Sequence, residues 1–479
     1  MNLFYLLSLI LFLCLSGNAA SADNEVLSLL KELKAEVGEL KQQLDRSNSR
    51  IGELEKKLGE YRASKPEIDK PGKEITQAPE TVASSPAKQD DKPLVTLGDV
   101  KGTFKIPGTN TSVGIGGYVK TDLLLNSVSA GADKLGDQKL LLSQIPVGGA
   151  SGEHSQLTFH AKESRLWFKS FTPSAWGDIN TYIEMDFFGN AGTYNYTPRL
   201  RHAYGSIGHF LAGQTWPTFL NAAAIPDILD NGGSAGSLFL FRQALVRWSQ
   251  PFSLAGTAME WQTAIEAPRS RIWDSISPSA NSNDPNAYSF FSNPDADRYP
   301  DLVTRLNFSP EWGTLSIAAM GRQIRYTNSK LGLKQEAWGG AVSLAGKINV
   351  FNLDNIRFMA HYGNGHGRYV STDNTFSDAS LDNEGNLYLT TSYGGMLAYQ
   401  HWWNKQWRSS VVYGYDQAEQ PDWVNQVLNQ EVQSLHANLL WSPVNQAVMG
   451  LEYIYANRKL LDGREGDLQR LQFSARYNF

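Results

Sequence analysis

The sequence is almost free of cysteine. Its single thiol, Cys14, lies in the first apolar stretch, so neither a disulfide framework nor a Cys-based zinc site is available to the rest of the chain. Long apolar runs are equally scarce. A membrane-spanning helix needs about 20 consecutive apolar residues, and only MNLFYLLSLILFLCLSGNAASA at the N-terminus comes close. The Gly-rich segments Gly114-Ile115-Gly116-Gly117 and Gly363-Asn364-Gly365-His366-Gly367 open no helical pattern, so they read as strand curvature and a loop tip rather than phosphate cradles. No close His pair is spaced for a metal. A Ser-His-Asn lipase triad needs a nucleophile hydrogen-bonded to an oriented base, and alternation alone places none. No metal, cofactor, nucleic-acid partner or chemical step is expected.

The first 22 residues combine an apolar core, Leu3 to Leu15, with Ala20-Ser21-Ala22, and predict a secretory signal cut before Asp23. No Lys or Arg precedes that core, so an uncleaved anchor helix is the alternative. Residues 23–62 carry a heptad repeat. Its a positions are Leu30, Val37, Leu44, Ile51 and Leu58, and its d positions include Leu33, Leu40 and Leu54. Arg50-Ile51-Gly52-Glu53-Leu54-Glu55 resembles a trimer-specifying pattern, which makes Arg50 and Glu55 candidate trimerisation residues with the a and d set. Gly38, Gly52 and Gly59 each weaken the helix by roughly 1 kcal/mol, and a solvated helix with no fixed partner is the competing reading. Residues 63–95 lose the pattern. Pro66, Pro71, Pro79, Pro86 and Pro93 punctuate charged and small residues, as in a flexible tether.

From residue 96 to residue 479 the period changes to two. About sixteen short runs alternate apolar and polar residues; in the last, Leu471, Phe473, Tyr477 and Phe479 interleave with Gln472, Ser474, Arg476 and Asn478. Connections after even-numbered runs are mostly tight and those after odd-numbered runs are usually longer. An even strand count, short turns on one side and long loops on the other predict an all-β fold, a closed antiparallel transmembrane barrel. The apolar face meets lipid and the polar face a water-filled lumen. Trp402, Trp403, Trp407, Trp441, Tyr453 and Tyr455 suit interfacial girdles.

Sixteen strands enclose an aqueous channel. Strand parity turns Arg165, Arg199, Arg201, Arg247, Arg305, Arg322 and Arg357 inward, with Arg408 and Arg476. Beyond residue 95 there are 30 Lys and Arg against 33 Asp and Glu, many of the acids in predicted loops, so the wall reads as basic although the domain is slightly acidic. Basic rings select anions; the competing reading pairs each Arg with a neighbouring acid. The connection WPTFLNAAAIPDILDNGGSAGSLFL, Trp216 to Leu240, is too apolar for free water. It is expected either to fold inside and narrow the channel, with Asp227 and Asp230 opposing the basic wall, or to pack as a lid on a subunit interface.

IGGYVKTDLL (115–124), SRLWF (164–168), TPRLRHAYGSIGHFLAGQTWPTF (197–219), FRQALVRW (241–248) and the closing strand resemble the DcaP-like family of trimeric outer-membrane porins. The resemblance implies a homotrimer in outer-membrane lipid, a periplasmic coiled coil, and passive passage of small anionic solutes such as dicarboxylates, with Arg165, Arg199, Arg201 and Arg247 inside the matched segments. An alternative function is envelope tethering: the stalk would contact peptidoglycan or a periplasmic partner and the barrel would serve as an anchor.

Overall fold

The computed structural model describes residues 96–129, 135–147, 155–189, 195–237, 241–276, 291–292, 297–370 and 375–479. The signal, heptad and tether expectations, with Leu30 through Leu58, lie outside these residues. Sixteen antiparallel strands follow in chain order. They are β1 (Ser112–Asn126), β2 (Gln156–His160 continued by Arg165–Thr172), β3 (Ile179–Asp186), β4 (Arg199–Ile207), β5 (Phe210–Thr215), β6 (Gln243–Leu254), β7 (Thr257–Glu266) and β8 (Asp301–Ser309). Then come β9 (Gly313–Asn328), β10 (Leu333–Val350), β11 (Asp354–Asn364), β12 (Thr391–Trp402), β13 (Trp407–Glu419), β14 (Asn429–Val444), β15 (Ala447–Leu460) and β16 (Glu465–Asn478). Each pairs with its neighbours in sequence, and β16 pairs with β1 from Tyr118↔Asn478 to Asn126↔Arg470, so the sheet closes.

All sixteen alternating runs of the sequence are strands. Their side chains keep the expected parity: Leu471, Phe473, Tyr477 and Phe479 are exposed on the outside, whereas Gln472 and Ser474 are each 2% exposed. Outward Leu302, Ile317, Val342, Leu344, Leu397, Val411, Leu439 and Leu451 continue the apolar belt. Aromatics cluster beside the short turns, among them Trp176, Phe210, Trp312, Phe351 and Trp403. Trp407 stacks on Trp441 of the next strand (5.7 Å, 17°). Trp402 departs from the expected girdle. It shares the inward parity of buried Gln400 and lies under the Arg408 guanidinium (5.3 Å).

The turns after even strands are short. In the β6–β7 hairpin Ala255 and Gly256 both take positive φ (50° and 82°), the mirror-image turn whose twist matches the flanking strands. The loops after odd strands build a second layer. Parts of two of them pair as a small sheet, with Ile272–Asp274 parallel to Ala379–Leu381, over the long-loop mouth. The wall has uneven height: β3, β4 and β5 span 8, 9 and 6 residues, but β9, β10 and β14 span 16, 18 and 16.

Leu397 is 60% exposed on the belt. Leu397→Arg should cost about 2–4 kcal/mol at mid-membrane depth, read as a lowered unfolding midpoint in lipid vesicles; an unchanged midpoint would place Leu397 away from lipid.

Candidate functional site

The connection between β5 and β6 turns into the barrel because it is apolar. Phe219, Leu220, Ala224 and Ala235 are buried in one cluster with Leu140, Leu142 and Ile145 of the first loop, Tyr369 of an outer loop, and inward Met320 and Met359. A fully buried Phe or Leu contributes about 1.5–3 kcal/mol. The backbone of this inserted loop is then strapped to the wall strand by strand. Thr218 N–H donates to Glu266 Oε1 on β7 (2.6 Å), and Arg305 on β8 donates to the Leu220 carbonyl. The Asn221 side chain donates to Ser316 on β9 (2.9 Å), while Ser343 on β10 donates to Phe219 O (3.3 Å) and Arg357 on β11 to Ile225 O. Asn438 on β14 holds Asp227 O (2.9 Å), and Glu452 on β15 accepts from Leu229 N–H (2.7 Å). Gln472 on β16 and Lys120 on β1 donate to Leu229 O (3.2 and 2.7 Å). On the way back Gly236 N–H donates to Asp416 on β13 (2.7 Å). Among the described residues no hydrogen bond ties 217–237 to β2–β6.

The wall left uncovered carries the densest charge. Glu163 accepts from Lys120 and lies 3.5 Å from Arg165, whose other side is 3.7 Å from Glu184. Asp186 receives Arg199 through Nε (2.9 Å) and Nη2 (2.5 Å), and also Arg201 Nη1 (2.7 Å). Arg201 Nε donates to Glu184 (2.6 Å). A β-bulge sets this up. Glu184 opposes His202 and Met185 opposes Leu200, so Arg201 is the extra residue and both Arg201 and His202 turn inward.

Four sequence expectations change. Arg322 is fully enclosed, with its donors spent on Asp301, Asp378, Gly365 O and Arg269 O, so it does not reach the lumen. Arg357, half-buried, holds Ile225 O and Asn355, which makes it a loop strap. Asp227 and Asp230 form no ion pair with Arg165, Arg201, Arg247 or Arg305. Asp227 pairs with Arg408 (2.7 Å) and Gln400 (2.8 Å), away from the β2–β6 wall. Asp230 is buried against Arg470 (2.6 Å) and the N–H groups of Leu140 (2.8 Å) and Gly232 (2.6 Å). Burial alone would raise the Asp230 carboxyl; Arg470 and the two N–H donors outweigh it and hold it below its ordinary value. Arg305 also serves the loop, through Leu220 O, and its Nη2 donates to Gln262 Oε1 on β7 (2.6 Å). Arg247 is half-buried, and its Nε has no hydrogen-bond partner.

Sequence parity missed Arg242. Alternation through Phe241–Gln250 would send it to lipid, but β6 begins at Gln243, so Arg242 escapes the alternation. Its guanidinium lies 3.7 Å from the Trp216 ring centroid and Nε contacts His202 Nε2 (3.1 Å). The signal was energetic, since an Arg in mid-membrane lipid costs about 2–4 kcal/mol. Arg242 borders a cavity of about 200 Å³ between residues 225, 226 and 228–231 of the inserted loop, Asp230 among them, and Arg165, Arg199 and Arg201 of the wall.

A closed sixteen-strand barrel narrowed from within by its third long loop coincides with a family match over residues 95–459. The chain belongs to the porin subfamily. This porin resembles in fold the outer membrane channel DcaP of Acinetobacter baumannii, at 21% identity and a TM-score of 0.64, covering 77% of this chain and 97% of that one. An anion-selective porin from Comamonas acidovorans is also similar (12% identity, TM-score 0.47, 77% of this chain and 100% of that one). A comparison with curated proteins finds no match. The family match makes this porin an outer-membrane channel.

Arg470→Leu leaves the Asp230 carboxylate buried without its cation, which costs roughly 3–5 kcal/mol. In this porin it should loosen the inserted loop, read as higher open-channel noise and a lower unfolding midpoint. Adding Asp230→Leu should recover part of the loss; equal noise in wild type and Arg470→Leu would refute the strap.

Proposed function

We propose that this porin is a passive diffusion channel that prefers small anions, dicarboxylates among them. The supporting observation is the charge balance of the uncovered wall. Arg165, Arg199 and Arg201 are matched by Glu163, Glu184 and Asp186. Arg242 and Arg247 have no carboxylate within ion-pair distance among the described residues. With Lys169 of β2, which forms no ion pair among the described residues, they are the surplus positive charge that a passing anion meets, and a guanidinium suits carboxylate geometry. Arg165, Arg199 and Arg201, with part of their fork already engaged, shape the cavity and keep its potential positive.

The functional unit in this reading is a homotrimer in the outer membrane, with residues 23–62 forming a periplasmic coiled coil. Supporting it are the heptad residues Leu30, Leu33, Val37, Leu40, Leu44, Ile51, Leu54 and Leu58 with Arg50 and Glu55. The low outer face of β3–β5, with Thr181, Ala203, Gly205 and Ala212, offers small residues for close approach of a neighbouring barrel.

In planar bilayers under a KCl gradient the reversal potential should favour chloride, and conductance should rise in triplets. A unit charge near the ion path contributes about 1 kcal/mol in a water-like dielectric. Replacing both Arg242 and Arg247 by Ala should therefore lower the anion-to-cation permeability ratio by more than about tenfold. Cation preference in the wild-type protein would overturn the reading.

A further inference from the structure

The uncovered wall carries rings as well as charges. Trp167 and Tyr182 stack across β2 and β3 (6.3 Å, 26°), and Tyr182 lies 5.7 Å from Tyr204 on β4. The bulged His202 joins Tyr182 (6.0 Å) to Trp216 (5.5 Å) at the root of the inserted loop. Parity turns these strand residues inward, and Trp167, Tyr182, Tyr204 and Trp216 are half-buried. A cation sits at each end of the row: Lys169 Nζ is 5.2 Å from the Trp167 ring, and Arg242 lies over Trp216 at 3.7 Å.

A cavity also lies at each end. The one at Arg242 measures about 200 Å³. A second, of about 190 Å³, is bounded by Val100, Thr103, Lys169, Tyr182 and Tyr204 near the short-turn mouth. A cavity of about 150 Å³ suffices for benzene, so each has room for one ring. A channel needing only to hydrate anions would be served by Ser, Asn and Arg. A continuous aromatic row in the lumen adds faces that stack on planar solutes, while guanidinium planes stack on aromatic rings and bind carboxylates along their edge.

We infer that the row from Lys169 to Arg242 is a binding track for aromatic carboxylates, which this channel retains and admits in preference to aliphatic carboxylates of the same charge and size. The inference rests on the anion-preferring reading above and adds a solute class to it. The carboxylate engages Arg242 while the ring lies against Trp216, then passes along Tyr204 and Tyr182 to the Lys169 end. No bond is made or broken.

The test uses the full-length protein in planar bilayers with two probes of equal charge and ring size, benzoate and cyclohexanecarboxylate. Benzoate should interrupt single-channel current with residence times roughly five-fold longer, the ratio expected of one ring–ring contact of about average strength. In the Trp167→Leu and Tyr182→Leu variants the ratio should fall below about two, as expected once that stacking is lost. Equal residence of the two probes in the wild-type channel overturns the track, and that comparison depends on no variant folding. The KCl reversal potential of the same wild-type channels reports separately on the anion preference. Chloride preference with equal residence would sink the track alone, and cation preference would sink the reading beneath it.

Discussion

Hydrocarbon offers no hydrogen-bond partner to a backbone amide, and this one constraint organises the molecule. Every strand edge must be covered, so β16 has to meet β1, and the pairing from Tyr118↔Asn478 to Asn126↔Arg470 meets that demand. Closure then sets the side-chain pattern. With lipid outside and water or polar atoms inside, Leu471 and Phe473 must alternate with Gln472 and Ser474. A conventional sheet would place its apolar face on a core; here that face is the outer surface. The interior core is supplied instead by loops that fold in.

The loop insertion is one-sided. Phe219, Leu220 and Ala235 need apolar cover, and the taller wall on the β9–β15 side offers inward Met320, Met359 and Val412. Polar inward residues on that side, such as Ser343, Asn438 and Glu452, meet the backbone of the inserted loop. The shorter strands β3 to β5 lie in the part left bare, and there the bulge at Arg201 crowds cations and acids together. Channel shape, charge and aromatic lining are consequences of which part of the wall the loop covers.

Much of this was legible in the sequence. Sixteen runs of period two, the sorting of short and long connections, and the inward parity of Arg165, Arg199, Arg201 and Arg247 depend only on local alternation. The partners of Asp227, Asp230 and Arg322 depend on contacts between residues far apart in the chain. Asp230 and Arg470 are 240 positions apart, and no periodicity encodes such a pair. A bulge adds one residue and shifts the alternation, which is why His202 faces inward beside Arg201. Arg242 was hidden for a related reason, since alternation says nothing beyond the end of a strand.

The central claim is that the inserted loop seals one side of the lumen and leaves the β2–β6 wall open to solute. Because Cys14 is the only native thiol and lies in the predicted signal, single cysteines report cleanly. Cysteine in place of Tyr204 on the bare wall should react rapidly with a charged water-soluble thiol reagent and reduce conductance. Cysteine in place of Ser434, beneath the loop at Ala235 N–H, should stay unreacted until the protein is unfolded. Equal rates at the two positions, or faster labelling at 434, would contradict the account.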